Sequence, residues 1–185
     1  MEEQILAKTM EHAKLLGGGY SLDKARWPDG SSVLNDHALR FIWVFRKART
    51  SRNPLWRLIL SRMRERYGLE IPWKTQIGEG LYLGHAFNVT VNPRAVIGRN
   101  CNIHKGVTIG QENRGKRKGA PIIGDDVWIG VNATIVGSIT VGSDVLVAPG
   151  AYVNCDVPDH SIVLGNPCRI VAREDATDAY INRRV

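Results

Sequence analysis

Cysteine is scarce in this chain of 185 residues, where only Cys101, Cys155 and Cys168 occur. An odd number without CxxC spacing excludes a disulfide framework and a zinc ribbon. Histidine is scarce as well, and only His85 and His104 fall within the repeats described below. A catalytic zinc needs three convergent protein ligands and one open position, so no metal is expected. No apolar run approaches the ~20 residues of a membrane crossing. The acidic start, Met1-Glu2-Glu3-Gln4, has no signal-peptide pattern, so the expectation is a cytoplasmic protein without membrane association. No recognised nucleic-acid motif accompanies the net charge of +7, so nucleic acid is not an expected partner.

What the chain does have is a period of six. Ile123, Ile129, Ile135, Val141, Val147 and Val153 form one apolar register. Val127, Ala133, Ile139, Val145, Ala151 and Val157 form a second beside it. A helix would repeat near 3.6 and a half-buried strand at 2. Six fits neither alone; it fits short flat strands coiling around a triangular prism. Glycine follows several register positions, as at Gly124, Gly130 and Gly142. There it is expected to turn the corners, with φ > 0. Upstream, Ile71, Ile77, Leu83 and Val89 keep one register, while Val91, Ile97, Ile103 and Ile109 keep another shifted by two. Eight extra residues fall between Ile109 and Ile123, in the polar, basic stretch Gln111–Ala120. A packed prism cannot absorb them, so they must leave as a loop, either a solvated connector or an arm toward a ligand or neighbouring subunit.

Residues 36–66 concentrate arginine, with Arg40, Arg46, Arg49, Arg52, Arg57, Arg62, Arg64 and Arg66 interleaved with apolar positions at helical spacing. Two amphipathic helices joined near Ser51-Arg52-Asn53 are expected, the second opened by Pro54. Their arginine face either is solvated or attracts an anionic cofactor or acceptor. A first short helix is expected near 2–16.

The stretch Gly68-Leu-Glu-Ile-Pro-Trp-Lys-Thr-Gln-Ile-Gly-Glu-Gly-Leu-Tyr-Leu-Gly-His85 resembles the start of the repeat domain of serine acetyltransferases. So do Val91-Asn-Pro-Arg-Ala-Val-Ile-Gly98, Gly106-Val-Thr-Ile-Gly110 and Gly165-Asn-Pro-Cys-Arg169. The resemblance implies a mainly β fold, a left-handed parallel β-helix over 68–171 behind an N-terminal helical region, 1–67, with a tail, 172–185. It implies an acetyl-coenzyme A-dependent O-acetyltransferase working as a homotrimer, with further pairing of trimers left open. His85 matches the family's general base, and the eight-residue step from Leu83 to Val91 is expected to bulge its side chain outward. Glu70 stands where the family has the aspartate that orients the base.

Coenzyme contacts implied by the match are Gly110, Gln111, Arg114, Lys116, Gly130, Val131, Pro149 and Arg169. Acceptor contacts are Gly84, Asn88 and Lys118. Two departures bear on the acceptor. The family carries an acidic residue where this chain has Gly84, and arginine and histidine where it has Gly119 and Ala120. Loss of that arginine removes a bidentate clamp on a carboxylate. The acceptor is therefore L-serine or, as the alternative, a sugar hydroxyl of capsule or exopolysaccharide synthesis. A non-catalytic assembly module remains a third reading. His104 is expected to be a coil-edge side chain without a role.

Overall fold

In the computed structural model, residues 19–185 are described; the helix expected near 2–16 lies outside them. Among the described residues three helices come first: α1 (Tyr20–Ala25), α2 (His37–Thr50) and α3 (Leu55–Tyr67). Fifteen short strands follow, from β1 (Leu69–Glu70) to β15 (Arg169–Ala172). They form three sheets, a 5-stranded one in the order β1-β4-β7-β10-β13, a 4-stranded one made of β2, β5, β8 and β11, and a 6-stranded one from β3 through β6, β9, β12 and β14 to β15. The pairings are parallel except β14 with β15. Each strand thus stacks on the strand one coil earlier, which makes a parallel β-solenoid of three faces.

The six-residue registers are the reason for this shape. Ile123, Ile129, Ile135, Val141 and Val147 are all 0% exposed, as are Ile97, Ile103 and Ile109. Every third register member returns to the same face, so β-branched side chains stack in columns inside the prism. Each such side chain stabilises the fold by about 1.5–3 kcal/mol. Coil length reads off the pairing: Ile122 faces Thr140, 18 positions on, whereas Val96 faces Ile122, 26 positions on. The eight additional residues leave as the loop through 111–120. In the first coil Tyr82 (β3, Tyr82–Gly84) faces Asn102 (β6, Asn102–His104), 20 positions on. The two additional residues fall at the corner of His85.

The corner glycines do not act as expected. Gly124, Gly130 and Gly142 are absent from the residues with positive φ. Their role is close approach: a β-carbon on Gly124 would stand 2.8 Å from the backbone of Gly142, and one on Gly78 2.7 Å from that of Gly98. The left-handed corners belong to Asn88, Asn100, Asp126, Asn132 and Asp144, with φ between 53° and 58°, and to other glycines, Gly80, Gly106 and Gly150, with φ between 70° and 73°. Asparagine and aspartate tolerate that region better than other side chains.

The helices cap the first coil. Asp36 accepts from the backbone N–H of Ala38 and Leu39 and caps α2. Pro54 precedes α3, and the Asn53 side chain accepts from Leu55 N–H. The arginine face is solvated only in part: Arg52, Arg62 and Arg66 are exposed, while others are engaged. Arg46, 5% exposed, pairs with the buried Asp23 of α1 at 2.8 Å and donates to the carbonyls of Ile77 and Gly78. Arg49 donates to Thr75 O, Arg40 to Val33 O and Leu34 O, and Arg57 lies 4.0 Å over the Trp73 ring.

Candidate active site

The corner that follows β3 carries the sequence Gly84-His85-Ala86-Phe87-Asn88, and neighbours hold it on several sides. The coil above donates from Lys105 N–H to Gly84 O (3.0 Å) and from Gly106 N–H to Phe87 O (3.1 Å). Asn88 N–H reaches Tyr67 O at the end of α3, and His37 Nε2 of α2 hydrogen-bonds Ala86 O at 3.1 Å. His37 also stacks near Tyr67 and Phe87, with ring centroids 4.9 and 4.8 Å away. His85 itself has φ 51° and is exposed. A bulky residue adopts a left-handed backbone only where its surroundings over-determine it, and such positions concentrate at functional sites.

The same edge of the prism continues upward. Lys105 and Gly106 turn it one coil above His85, Val131 and Asn132 the next, and Pro149 and Gly150 the one after. Asn132 N–H donates to Lys105 O, and Gly150 N–H to Val131 O. The closing segment Gly165–Arg169 lies on this edge too, since Tyr152 N–H donates to Gly165 O. His85, Asn88, Gly130, Val131, Pro149 and Arg169 therefore line one edge. Gly130 is packed tightly there, with Pro149 N 2.6 Å from where its β-carbon would be.

The loop leaves from a different edge. Gly110 ends β7 (Thr108–Gly110), and the chain returns at β8 (Ile122–Ile123), one corner away around the prism. Gln111 shares hydrogen bonds with Asn92 and Asn113. Glu112 pairs with Arg117 at 3.1 Å, so Arg117 is committed within the loop. Arg114, Lys116 and Lys118 are exposed. Within the chain these cations and His85 are on separate corners.

Glu70 is exposed on β1, facing Thr90 of β4 (Val89–Val91). No hydrogen bond or ion pair joins it to His85 among the described residues.

His104, expected at a coil edge without a role, stands directly over the residue that precedes His85. It faces Gly84 across the β3–β6 ladder, and its ring covers the Gly84 α-carbon so closely that a β-carbon there would overlap Nδ1. Its other side packs against Trp128, ring centroids 4.8 Å apart. Burial, helped by the like charge of His85, pulls its pKa down to about 4. It is therefore neutral at neutral pH, and its Nε2 is buried without a hydrogen-bond partner. The signal was available: residue 104 lies one 20-residue coil above residue 84, directly over the position before the base.

Among the described residues no group of three or more histidine, cysteine or acidic side chains converges on a metal position.

Residues 120–155 match the family model for the bacterial transferase hexapeptide (six repeats). The chain is 38% identical over 136 residues to serine acetyltransferase 2 of Arabidopsis thaliana, covering 73% of this chain and 42% of that one. It is 36% identical over 145 residues to serine acetyltransferase of Bacillus pumilus, covering 76% of this chain and 67% of that one. Its fold is similar to that of Brucella abortus serine acetyltransferase in complex with coenzyme A, with TM-score 0.72 at 26% identity over 92% of this chain and 73% of that one. The chain thus spans less than half the length of the plant relative.

Proposed function

The chain belongs to the serine acetyltransferase family, and we propose that it transfers an acetyl group from acetyl-coenzyme A to the hydroxyl of L-serine, acting in the cytoplasm. The observation that carries this reading is His85: an exposed imidazole in a left-handed corner, braced by α2, α3 and the coil above, on the same edge as the coenzyme-matching Gly130, Val131, Pro149 and Arg169.

The chemistry needs little more than a base and donors. The imidazole of His85 takes the hydroxyl proton as the oxygen attacks the thioester carbonyl. The C–O bond forms, the tetrahedral oxyanion collapses, the C–S bond breaks, and the imidazolium returns its proton to the departing sulfur. Histidine suits both halves because its pKa lies near operating pH. Glu70 is the carboxylate assigned to orient that ring, and Gly84 and Asn88 border the acceptor.

The coenzyme would run along the edge of Gly130, Val131, Pro149 and Arg169. Gly110 and the loop side chains Gln111, Arg114 and Lys116 stand at another corner, as does the acceptor-matching Lys118, so they reach that edge only from a neighbouring protomer. That separation supports a homotrimer, in which identical prisms around a threefold axis set one protomer's loop against the next one's His85 edge.

Thiol release from acetyl-coenzyme A, measured with L-serine and with a panel of sugars, tests the reading. Serine-dependent release that falls about 10²–10⁴-fold in His85→Ala supports it. Release with a sugar and none with serine would overturn it.

A further inference from the structure

Neighbours grip the backbone of the His85 corner at Gly84, Ala86, Phe87 and Asn88, and His85 itself makes none of these bonds. Main-chain partners supply the grip at Gly84, Phe87 and Asn88. The bond at Ala86 differs in kind, because a side chain makes it: Nε2 of His37 lies 3.1 Å from Ala86 O. Ala86 is 0% exposed, so its carbonyl needs a donor from the protein. Among the described residues that donor is His37. A carbonyl only accepts, so Nε2 carries the proton in this contact.

The ring is held at its root and on its faces. His37 is the first residue of α2, directly after Asp36, whose Oδ1 accepts from Ala38 and Leu39 N–H. Asp36 Oδ2 also accepts from Trp27 Nε1 at 3.2 Å, which ties this helix end to the segment after α1. The imidazole packs against Tyr67 at 4.9 Å and Phe87 at 4.8 Å between centroids. Those two rings meet edge to face at 5.8 Å.

Ala86 follows His85 directly. The peptide between Ala86 and Phe87 is planar, so a bond that fixes its carbonyl fixes the whole unit. His85, with φ 51°, and Asn88, with φ 54°, hold left-handed backbones on either side of it. Such conformations persist only where the surroundings over-determine them. Without the His37 donor a buried carbonyl is left unpaired, and the peptide turns to find another partner. The strained residue before it is then free to leave its left-handed well, and the imidazole moves with it.

We propose that His37 is a positioning residue of the transfer reaction: its hydrogen bond to Ala86 O holds the corner in the shape that aims His85 at the acceptor hydroxyl. The inference rests on His85 acting as the base, and it adds the residue that places that base. His37 acts through one peptide rather than on either substrate.

Two substitutions separate the hydrogen bond from the ring. His37→Phe keeps an aromatic ring beside Tyr67 and Phe87 and loses the donor. His37→Gln loses the ring and keeps an amide nitrogen as many bonds from the backbone as Nε2. Serine acetylation gives kcat and the KM of each substrate, and urea midpoints show that the variants are folded. In parallel, the Cε1–H NMR signal of His85, identified by its loss in His85→Ala, reports the surroundings of the base without any turnover. The expected result in His37→Phe is a kcat about tenfold to a hundredfold lower, the scale of a misplaced base, with both KM values within about twofold. The His85 signal shifts in that variant, and His37→Gln restores both the signal and most of kcat.

An unchanged kcat in His37→Phe overturns the proposal and leaves the serine reading standing. A kcat that falls in both variants, without rescue by glutamine, shows that the ring merely packs and overturns it too. If the wild type releases no thiol with serine, that reading fails and the His85 signal decides alone. A shift in His37→Phe that glutamine reverses then supports the placement, and an unmoved signal overturns it. Should His37→Phe not fold, His37→Asn, whose amide nitrogen is one bond short of Ala86 O, replaces it with the same outcomes.

Discussion

His104 and Gly84 occupy one volume: the imidazole of the upper coil fills the space that any side chain on the lower residue would need. The acidic residue that resembling enzymes carry before the base has no room here. A neutral ring stands in its place, so the environment of His85 differs in charge as well as in shape.

This coupling predicts a pattern in a mutant cycle. Gly84→Asp alone is expected to destabilise by about 1–3 kcal/mol, the usual cost of overpacking. His104→Ala removes the obstruction, so the double variant should be more stable than the sum of the single losses implies. Urea midpoints of the four proteins measure the coupling energy. Strict additivity would show that the ring yields by rotating away.

The same imidazole predicts an acid sensitivity. An ordinary histidine titrates near 6.5, whereas His104 in the fold does so at about 4. Between those values the unfolded chain binds a proton that the folded chain refuses. Stability therefore rises with pH across that window and is lost as pH falls from 6.5 toward 4. Partial exposure of the ring keeps the slope below the ~1.4 kcal/mol per pH unit of a full one-proton difference. Chemical denaturation at stepped pH should show a flatter profile for His104→Leu.

Asp23 and Arg46 tie the helices to the first coil. The guanidinium meets both carboxylate oxygens at 2.8 and 2.9 Å, while Asp23 Oδ1 also accepts from Leu81 N–H at 2.8 Å. Removing one partner leaves a buried charge unpaired. Arg46→Met or Asp23→Leu should each cost about 3–5 kcal/mol. Arg46→Lys should rescue only part, because an ammonium cannot bridge two oxygens and two carbonyls in one plane. Thermal and urea unfolding report the difference.

These cases mark how much the sequence could say. The solenoid was legible because period six is a property of the chain alone: Ile97, Ile103, Ile109 and Ile123 need no partner to be recognised. The outward bulge at His85 was legible from spacing for the same reason. Gly124 and Gly142 were misread, since closeness between coils is a relation between residues 18 apart, and glycine's common use at left-handed corners suggested the wrong cause. Arg46 was read as part of an exposed face because helical periodicity shows which side is basic but not that Asp23 waits opposite.

The corrected role of glycine has its own consequence. Gly124→Ala should destabilise measurably, since its β-carbon would stand 2.7 Å from Ser143 Oγ and 2.8 Å from Gly142. Asn132→Ala should cost about 1–2 kcal/mol, as alanine in a left-handed corner meets the steric penalty that asparagine partly avoids. Asn132→Gly should cost less than Asn132→Ala, and an inverted order would mean that the asparagine side chain, not the backbone, sets the corner.

Sequence spacing offers no reason to pair Cys155 with Cys168, yet the closing turn brings their sulfurs to 3.7 Å as free thiols. A disulfide needs about 2.05 Å, a small closure for two surface segments. Burial, together with the neighbouring Cys168, pushes the Cys155 thiol up, so little thiolate exists at neutral pH. Thiolate is the reacting form. Treatment with an azo oxidant such as diamide, which takes up the two hydrogens, should therefore link the pair slowly at pH 7 and faster as pH rises. Cys101 should stay reduced throughout, being fully buried with its thiol pushed up to about 12. Intact mass should show the loss of two hydrogens, and peptide mapping should place the bridge between 155 and 168. Persistence of three titratable thiols after prolonged treatment at alkaline pH would show that the closing turn holds the sulfurs apart.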